Sequence, residues 1–196
     1  MSRFWAAAAI TSVAAWAGTP HLVEGAAESH VRVIVYEDLA CPDCATFRTM
    51  LDERLLPRYA TTVAFEHRDF PLPKHPWARK AAIAARFLDE ARSGAGLAFR
   101  KFLLANLGDI NTTNFEPIFR EFAERQGVDP AKAATALSDQ RLANLVEEDY
   151  QEGAARGVAR TPTVFVNGHP FIESFTFEEI SKAIDSELAG VLQGPH

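Results

Sequence analysis

Residues 31–44 have the sequence VRVIVYEDLACPDC, which joins two different local patterns. The first half, Val31–Tyr36, is nearly continuous in β-branched residues, as in a strand covered on both faces. The second half ends in a CxxC motif, Cys41-Pro42-Asp43-Cys44, and apolar residues follow it at helical spacing as far as Pro57. A strand that leads into a helix here places the first thiol at a helix N-terminus, where a thiolate is stabilised.

The chain has 196 residues and only two cysteines, both inside this motif. A CxxC motif alone also fits half a zinc site, a haem attachment or a structural disulfide. Haem attachment needs a histidine after the second cysteine, whereas residue 45 is alanine. The six histidines do not form the paired spacing of a zinc site. A redox-active pair is therefore favoured over zinc and over a static bridge, and we expect neither a metal nor an organic cofactor.

Composition and charge restrict the class of protein. An apolar fraction of 47% is ample for a buried core, which makes disorder an unfavourable interpretation. The formal net charge is −6, and the basic residues are scattered along the chain. This pattern predicts no nucleic-acid surface and no surface for anionic lipid.

The N-terminal region has the pattern of an export signal. Arg3 precedes an uncharged apolar run, Phe4–Ala17, which ends in small residues and is shorter than a comfortable membrane span. We predict a signal peptide over 1–17 and a linker over 18–30, with an uncleaved membrane anchor as the alternative. Export implies a periplasmic or other extracytoplasmic location.

The rest of the chain divides into an α/β part and a helical part. A predicted strand at Thr62–Arg68 completes a β-α-β unit, and helical periodicity then extends over 76–156. Two further strand patterns flank Asn167-Gly168, which is a strong hairpin signal. The predicted domains are a core formed by 31–75 and 157–190, interrupted by an all-helical insertion over 76–156.

The capping-box pair Thr176 and Glu179 predicts the start of a last helix.

The order of these elements resembles the thioredoxin-fold family, and within it the DsbA-like branch. Three segments carry the resemblance, namely YEDLACPDC at 36–44, FPLPKHPWA at 70–78 and GVARTPTVFVNG at 157–168. The resemblance covers residues from about 31 to 190. It implies an α/β thioredoxin fold, with a central mixed sheet flanked by helices and an inserted helical domain.

The resemblance also implies roles for individual residues. Cys41 matches the exposed nucleophilic cysteine and Cys44 the buried resolving cysteine. Pro162 matches a proline that is cis in this family, and Thr161 matches the residue whose backbone pairs with an extended substrate. Pro42 belongs to the dipeptide that tunes the redox couple.

Two positions depart from the family pattern. Many relatives have a buried acid six residues before the nucleophile, where this chain has Val35, so Glu37 or Asp38 is the candidate substitute. Strongly oxidising relatives have a histidine where this chain has Asp43. The charge of Asp43 is expected to raise the pKa of Cys41 and so to make the couple less oxidising than that of the strongest family members.

His75 and Trp77 belong to the Pro-rich segment that enters the insertion, and the sequence assigns them no role.

The sequence therefore predicts an exported thiol-disulfide oxidoreductase that oxidises extended cysteine-containing protein substrates. We expect it to be a monomer that is recycled by a membrane redox partner. Two alternatives stay open at this level. One is a disulfide reductase or isomerase of the same fold, and the other is a non-catalytic thioredoxin-fold binding or chaperone module with a static disulfide.

Overall fold

The structure is a computed structural model, which describes residues 21–193. The predicted signal peptide, 1–17, lies outside the described residues. Within the described part of the chain, no helix combines the length and the apolar character needed to cross a membrane.

A five-stranded mixed sheet forms the centre of the structure, in the order β1-β3-β2-β4-β5. Strands β2 and β3 are parallel, and all other neighbours are antiparallel. The predicted mixed sheet is therefore confirmed. The strands are β1 (Leu22–Gly25), β2 (Arg32–Glu37), β3 (Ala64–Asp69), β4 (Thr163–Val166) and β5 (His169–Ile172).

Strand β1 corrects the sequence prediction, because it lies in the segment 18–30 that was interpreted as a linker. It pairs antiparallel with β3, with Leu22 opposite His67 and Gly25 opposite Ala64. Its residues are partly buried or exposed. Its sequence, Leu-Val-Glu-Gly, lacks the alternation of apolar and polar residues that marks a strand. Backbone pairing with β3 holds this strand, together with the ion pairs that the Glu24 side chain forms with Arg48, His67 and Lys101.

The helix after the CxxC motif is longer than predicted. Helix α1 (Pro42–Met50) continues through a π-helical turn (Leu51–Leu55) into α2 (Leu56–Tyr59), past the proline at which we expected it to stop. In the π turn, the Leu56 N–H bonds the carbonyl of Leu51, five residues back. Such a turn widens the helix next to Pro57, which lacks an N–H for the helical ladder.

The helical insertion has its own core. Its helices enclose a cluster of aromatic and small side chains in which Phe99, Phe115 and Phe119 are almost completely buried. Cys41 and Cys44 belong to the same cluster, so the insertion packs directly over the CxxC motif. The helices are α3 (Ala78–Ala91), α4 (Ala95–Ala105), α5 (Phe115–Arg125), α6 (Pro130–Ala136) and α7 (Gln140–Ala155).

The C-terminal part of the core follows the sequence prediction closely. Asn167 and Gly168 have φ angles of 43° and 92°, as the tight β4–β5 turn requires. Helix α8 (Phe177–Gln193) starts at the predicted capping box. There the Glu179 N–H donates to the Thr176 hydroxyl, and the Glu179 carboxylate accepts from the Thr176 N–H at 2.7 Å.

A buried network of ion pairs joins the sheet to the insertion. The Arg100 guanidinium on α4 donates to Glu37 at the end of β2 and to Asp69 at the end of β3, at 2.9 and 2.7 Å. Arg86 on α3 donates to Asp69 and to Asp149 on α7. All five groups are at least nine-tenths buried, so each charge needs its partner.

Gly153 marks the closest approach of α7 to the core. A Cβ atom at this position would lie 2.8 Å from ring atoms of both Tyr36 and Phe70. Tyr36 packs edge-on against Phe70 and Phe165. These rings therefore occupy space that only a glycine leaves free.

We predict that Gly153→Ala lowers the free energy of unfolding by about 1–3 kcal/mol, because the added methyl overpacks the aromatic contact. Gly190→Ala on α8 is the matched control. It meets no atom within 4 Å and is expected to stabilise its helix by about 0.5–1 kcal/mol. Denaturant unfolding of both variants measures the difference, and equal effects would contradict the packing argument.

Candidate redox site

Cys41 is the N-cap residue of α1, and Pro42 occupies the first helical position, as predicted. The Cys41 backbone is extended, with φ −95° and ψ 125°, and its N–H donates to the Asp38 carbonyl at 3.0 Å. Proline costs nothing at this position because the first helical N–H groups have no intrahelical partner. The sulfur is therefore held at the positive end of the helix dipole.

The two cysteines are free thiols in this structure, and both are buried. Cys44 is fully inaccessible, as expected for a resolving cysteine, but Cys41 is also only 3% exposed. The expectation of an exposed nucleophile is wrong in this respect. The insertion and the loop before the motif explain the difference, because Trp77 of the insertion and Leu39 of the loop pack in one cluster with both cysteines.

The loop before β4 covers Cys41 from the other side. The Thr161–Pro162 peptide bond is cis, which confirms the geometry implied by the family resemblance. The Cys41 thiol donates to the Thr161 carbonyl at 3.4 Å, so the loop and the motif are in direct contact. That the Thr161 backbone pairs with a substrate stays a prediction.

The site separates the acidities of the two thiols. The pKa of Cys41 is lowered from 9.0 to about 5, chiefly by a hydrogen bond from the Cys44 thiol. Burial opposes this shift, whereas the Thr161 side chain and the backbone amides of Cys44 and Asp43 lower the pKa further. The pKa of Cys44 is raised well above 9.0 by burial, by its hydrogen bond to Cys41 and by the charges of Cys41 and Glu37. The site thus favours a thiolate on Cys41 and a thiol on Cys44.

Asp43 acts on Cys41 mainly through its backbone. Its N–H helps to lower the pKa of Cys41, while its side chain lies in an exposed position. Water screens a carboxylate in such a position. The opposing effect that we expect from the Asp43 carboxylate, and its consequence for the redox couple, stays a prediction.

Both candidates for the buried acid that the sequence seemed to lack, Glu37 and Asp38, are buried, and that either one takes over its role stays a prediction. Val35 is fully buried and apolar, whereas the Glu37 carboxylate, two residues later, accepts from His67 Nδ1 at 2.8 Å and from Arg100. Burial opposes its ionisation, but the charges of His67 and Arg100 lower its pKa to about 2. Glu37 is therefore an anion close enough to Cys44 to oppose formation of its thiolate.

Sequence reasoning missed the partners of Glu37. Both ring nitrogens of His67 face carboxylates, because Nδ1 bonds Glu37 and Nε2 lies 3.0 Å from Glu24. Burial lowers the pKa of His67, but these two carboxylates raise it above its ordinary value. Arg100 stands among the apolar residues of α4. For both His67 and Arg100, the only signal in the sequence was a charged or titratable residue at a core-facing position. Such a signal does not identify the residue with which it pairs.

Among residues 21–193, no group of three or more histidine, cysteine, aspartate and glutamate side chains is arranged to hold a metal ion. That the activity needs no cofactor stays a prediction.

A CxxC motif at a helix start, a cis-proline loop against it and a helical insertion above it define a thioredoxin fold of the DsbA-like type. A family model described as thioredoxin matches residues 18–186. The chain belongs to this family.

Solved structures of DsbA-type proteins share the fold. BdbD from Bacillus subtilis superposes with a TM-score of 0.77 at 22% identity, covering 85% of this chain and 92% of that chain. α-DsbA1 of Wolbachia pipientis gives a TM-score of 0.73 at 16% identity over 85% and 89% of the two chains.

Relatives by sequence are longer proteins. The chain is 32% identical over 174 residues to the Na⁺/H⁺ antiporter NhaA 1 of Salinispora arenicola, covering 88% of this chain but 26% of the antiporter. It is 28% identical to a protein of Rickettsia prowazekii that is named as a protein-disulfide oxidoreductase, covering 85% of this chain and 61% of that protein. The chain thus spans about a quarter of the length of the antiporter and about three-fifths of the length of the Rickettsia protein.

The pKa values predict how reduction changes the pH dependence of stability. Between about pH 5 and 9, Cys41 is ionised in the folded protein but protonated in the unfolded chain. The unfolded state then binds more protons, so the stability of the reduced protein rises with pH across this window. Above about pH 9 the trend reverses, because Cys44 stays protonated only in the folded state.

The measurement is the free energy of unfolding of the reduced and oxidised proteins as a function of pH. The difference between them isolates the thiols, because the other titratable groups are common to both states. A difference that does not change between pH 5 and 9 would contradict the low pKa of Cys41.

Proposed function

We propose that this chain is an exported thiol-disulfide oxidoreductase that donates its Cys41–Cys44 disulfide to extended, cysteine-containing protein substrates. The observation that carries the proposal is the position of Cys41 at the N-cap of α1, in contact with the cis Thr161–Pro162 loop, where its pKa is lowered to about 5. A stabilised reduced form makes the disulfide a stronger oxidant, and a low-pKa thiolate is a good leaving group. Both properties favour donation of the disulfide over its reduction.

The reaction proceeds in two exchanges. A substrate thiolate attacks Cys41 Sγ of the disulfide, the Cys41–Cys44 bond breaks, and its electron pair passes to Cys44, which takes up a proton. A second substrate thiolate then attacks the substrate sulfur of the mixed disulfide, and Cys41 leaves as a thiolate. The substrate loses two electrons and the enzyme gains them.

The placement of the two sulfurs suits this order of exchange steps. Cys44 is fully inaccessible whereas Cys41 is 3% exposed, so we expect a substrate thiolate to attack Cys41, which contacts the Thr161–Pro162 loop. We propose that Thr161 pairs with the extended substrate segment. The reduced enzyme would be reoxidised by a membrane redox protein on the outer side of the membrane, and the chain would act as a monomer.

The reduction potential of the pair tests the direction of the reaction. Equilibrating the purified protein against graded glutathione buffers should give a value closer to about −120 mV than to about −270 mV. A pKa of about 5 for Cys41 is higher than the ~3.5 of the strongest oxidant of this type, so the couple should be somewhat less oxidising. A potential near about −270 mV would assign the protein to the reductases instead.

A trapping experiment tests whether the pair is catalytic. Cys44→Ala should accumulate mixed disulfides with disulfide-containing substrate proteins: the Cys41 thiolate attacks a substrate disulfide, one substrate sulfur leaves as a thiolate, and Cys44, which would displace the bound sulfur in the reverse of the donation reaction, is absent. The matched control is the double variant Cys41→Ala/Cys44→Ala, which should trap none. If the single variant also traps none from unfolded substrate proteins that contain disulfides, the disulfide is static and the binding-module interpretation holds.

A further inference from the structure

The carboxylate of Asp38 lies at the junction of the redox loop and the insertion. Its side chain is fully inaccessible, and its Oδ1 accepts from the Ala40 N–H at 2.7 Å. Its Oδ2 accepts from the Leu72 N–H and from Nδ1 of His75, both at 2.7 Å. Asp38 therefore links the loop before the CxxC motif to the Pro-rich segment at 70–76.

The backbone of Asp38 contacts both cysteines. Its N–H donates to Cys44 Sγ at 3.4 Å, and its carbonyl accepts from the Cys41 N–H at 3.0 Å. The N–H bond opposes the burial effect on Cys44, because it stabilises the charged form of the sulfur. The position of one peptide group thus affects the ionisation of the resolving cysteine.

His75 is well placed to hold this peptide group. Its own backbone is fixed, since its N–H donates to the Leu72 carbonyl at 3.0 Å and its carbonyl accepts from the Ala78 N–H at 3.1 Å. Its side chain is 18% exposed and its Nδ1 bonds the buried Asp38 carboxylate. A carboxylate only accepts, so Nδ1 carries the hydrogen of this bond.

We propose that His75 is a positioning residue for thiol-disulfide exchange. Through the Asp38 carboxylate it holds the Asp38 N–H on Cys44 Sγ, where this N–H stabilises the sulfur as it leaves. The proposal rests on the proposed function and deepens it. A residue that appeared in the sequence without a role is thereby assigned to the step in which the enzyme disulfide opens.

A substrate thiolate forms a bond to Cys41 Sγ, the Cys41–Cys44 bond breaks, and the electron pair of that bond stays on Cys44 Sγ. Cys44 is a poor leaving group because burial raises its pKa. A backbone N–H directed at the sulfur offsets part of this penalty at the moment when the charge appears.

The test uses two substitutions at His75 and one control elsewhere. His75→Leu removes the donor and keeps an apolar side chain, whereas His75→Asn places an N–H at the δ position, as in histidine. His169→Leu is the matched control, because His169 is exposed on β5 and packs against Phe171. All three are made in the full chain.

The first readout is the rate constant with which glutathione opens the enzyme disulfide. Loss of one hydrogen bond should make His75→Leu about three- to tenfold slower, with the glutathione equilibrium shifted toward the disulfide by up to the same factor. His75→Asn should restore most of the rate, and His169→Leu should keep it. A His75→Leu rate equal to that of the unmodified protein, or a loss that His75→Asn does not restore, overturns the proposal.

The second readout is the chemical shift of the Asp38 amide proton in the chemically reduced protein, which needs no turnover. It should move upfield in His75→Leu and return in His75→Asn, and an unchanged shift overturns the proposal. If the unmodified protein does not exchange with glutathione, the proposed function fails, and this shift still decides whether His75 positions Asp38. If His75→Leu does not fold, His75→Gln replaces it in both readouts. The N–H donor of glutamine lies one carbon farther from the backbone than Nδ1 of histidine.

Discussion

The structure depends on the buried ion pairs that Arg100 forms with Glu37 and Asp69. These carboxylates end two adjacent parallel strands, and the guanidinium that neutralises them comes from the insertion. Two like charges at one sheet edge are stable in a dry interior only when a cation lies between them. The insertion is therefore part of the core, because removing this arginine would leave Glu37 with only His67, and Asp69 with only Arg86, as a cationic partner.

The same cluster affects the chemistry next to it. The Glu37 anion disfavours a thiolate on Cys44, whereas the helix N-terminus and the Cys44 thiol favour one on Cys41. Two thiols with the same intrinsic acidity thus become a thiolate and a thiol. The difference comes from burial, one nearby charge and hydrogen bonds, and the chain contains no other cysteine that competes.

Local patterns predicted the local features of this protein. The CxxC motif at the start of a helix, the proline at its first position, the Asn167-Gly168 hairpin and the capping box of Thr176 with Glu179 are all present. Each depends on residues within a few positions of one another. Strand β1 was missed because pairing with β3, more than 35 residues away, forms it. The helix end at Pro57 was wrong because a π turn accommodates the proline.

The sequence by itself determined where the thiol chemistry lies, in what order the strands and helices follow, and which proline stands against the motif. Only the tertiary structure decided the environment of that chemistry. The partners of Glu37, the cover over Cys41 and the contact from His75 through Asp38 to Cys44 join residues that lie 30 to 120 positions apart. Charge, burial and hydrogen bonding act through space, and a sequence records a charged residue without recording what it faces.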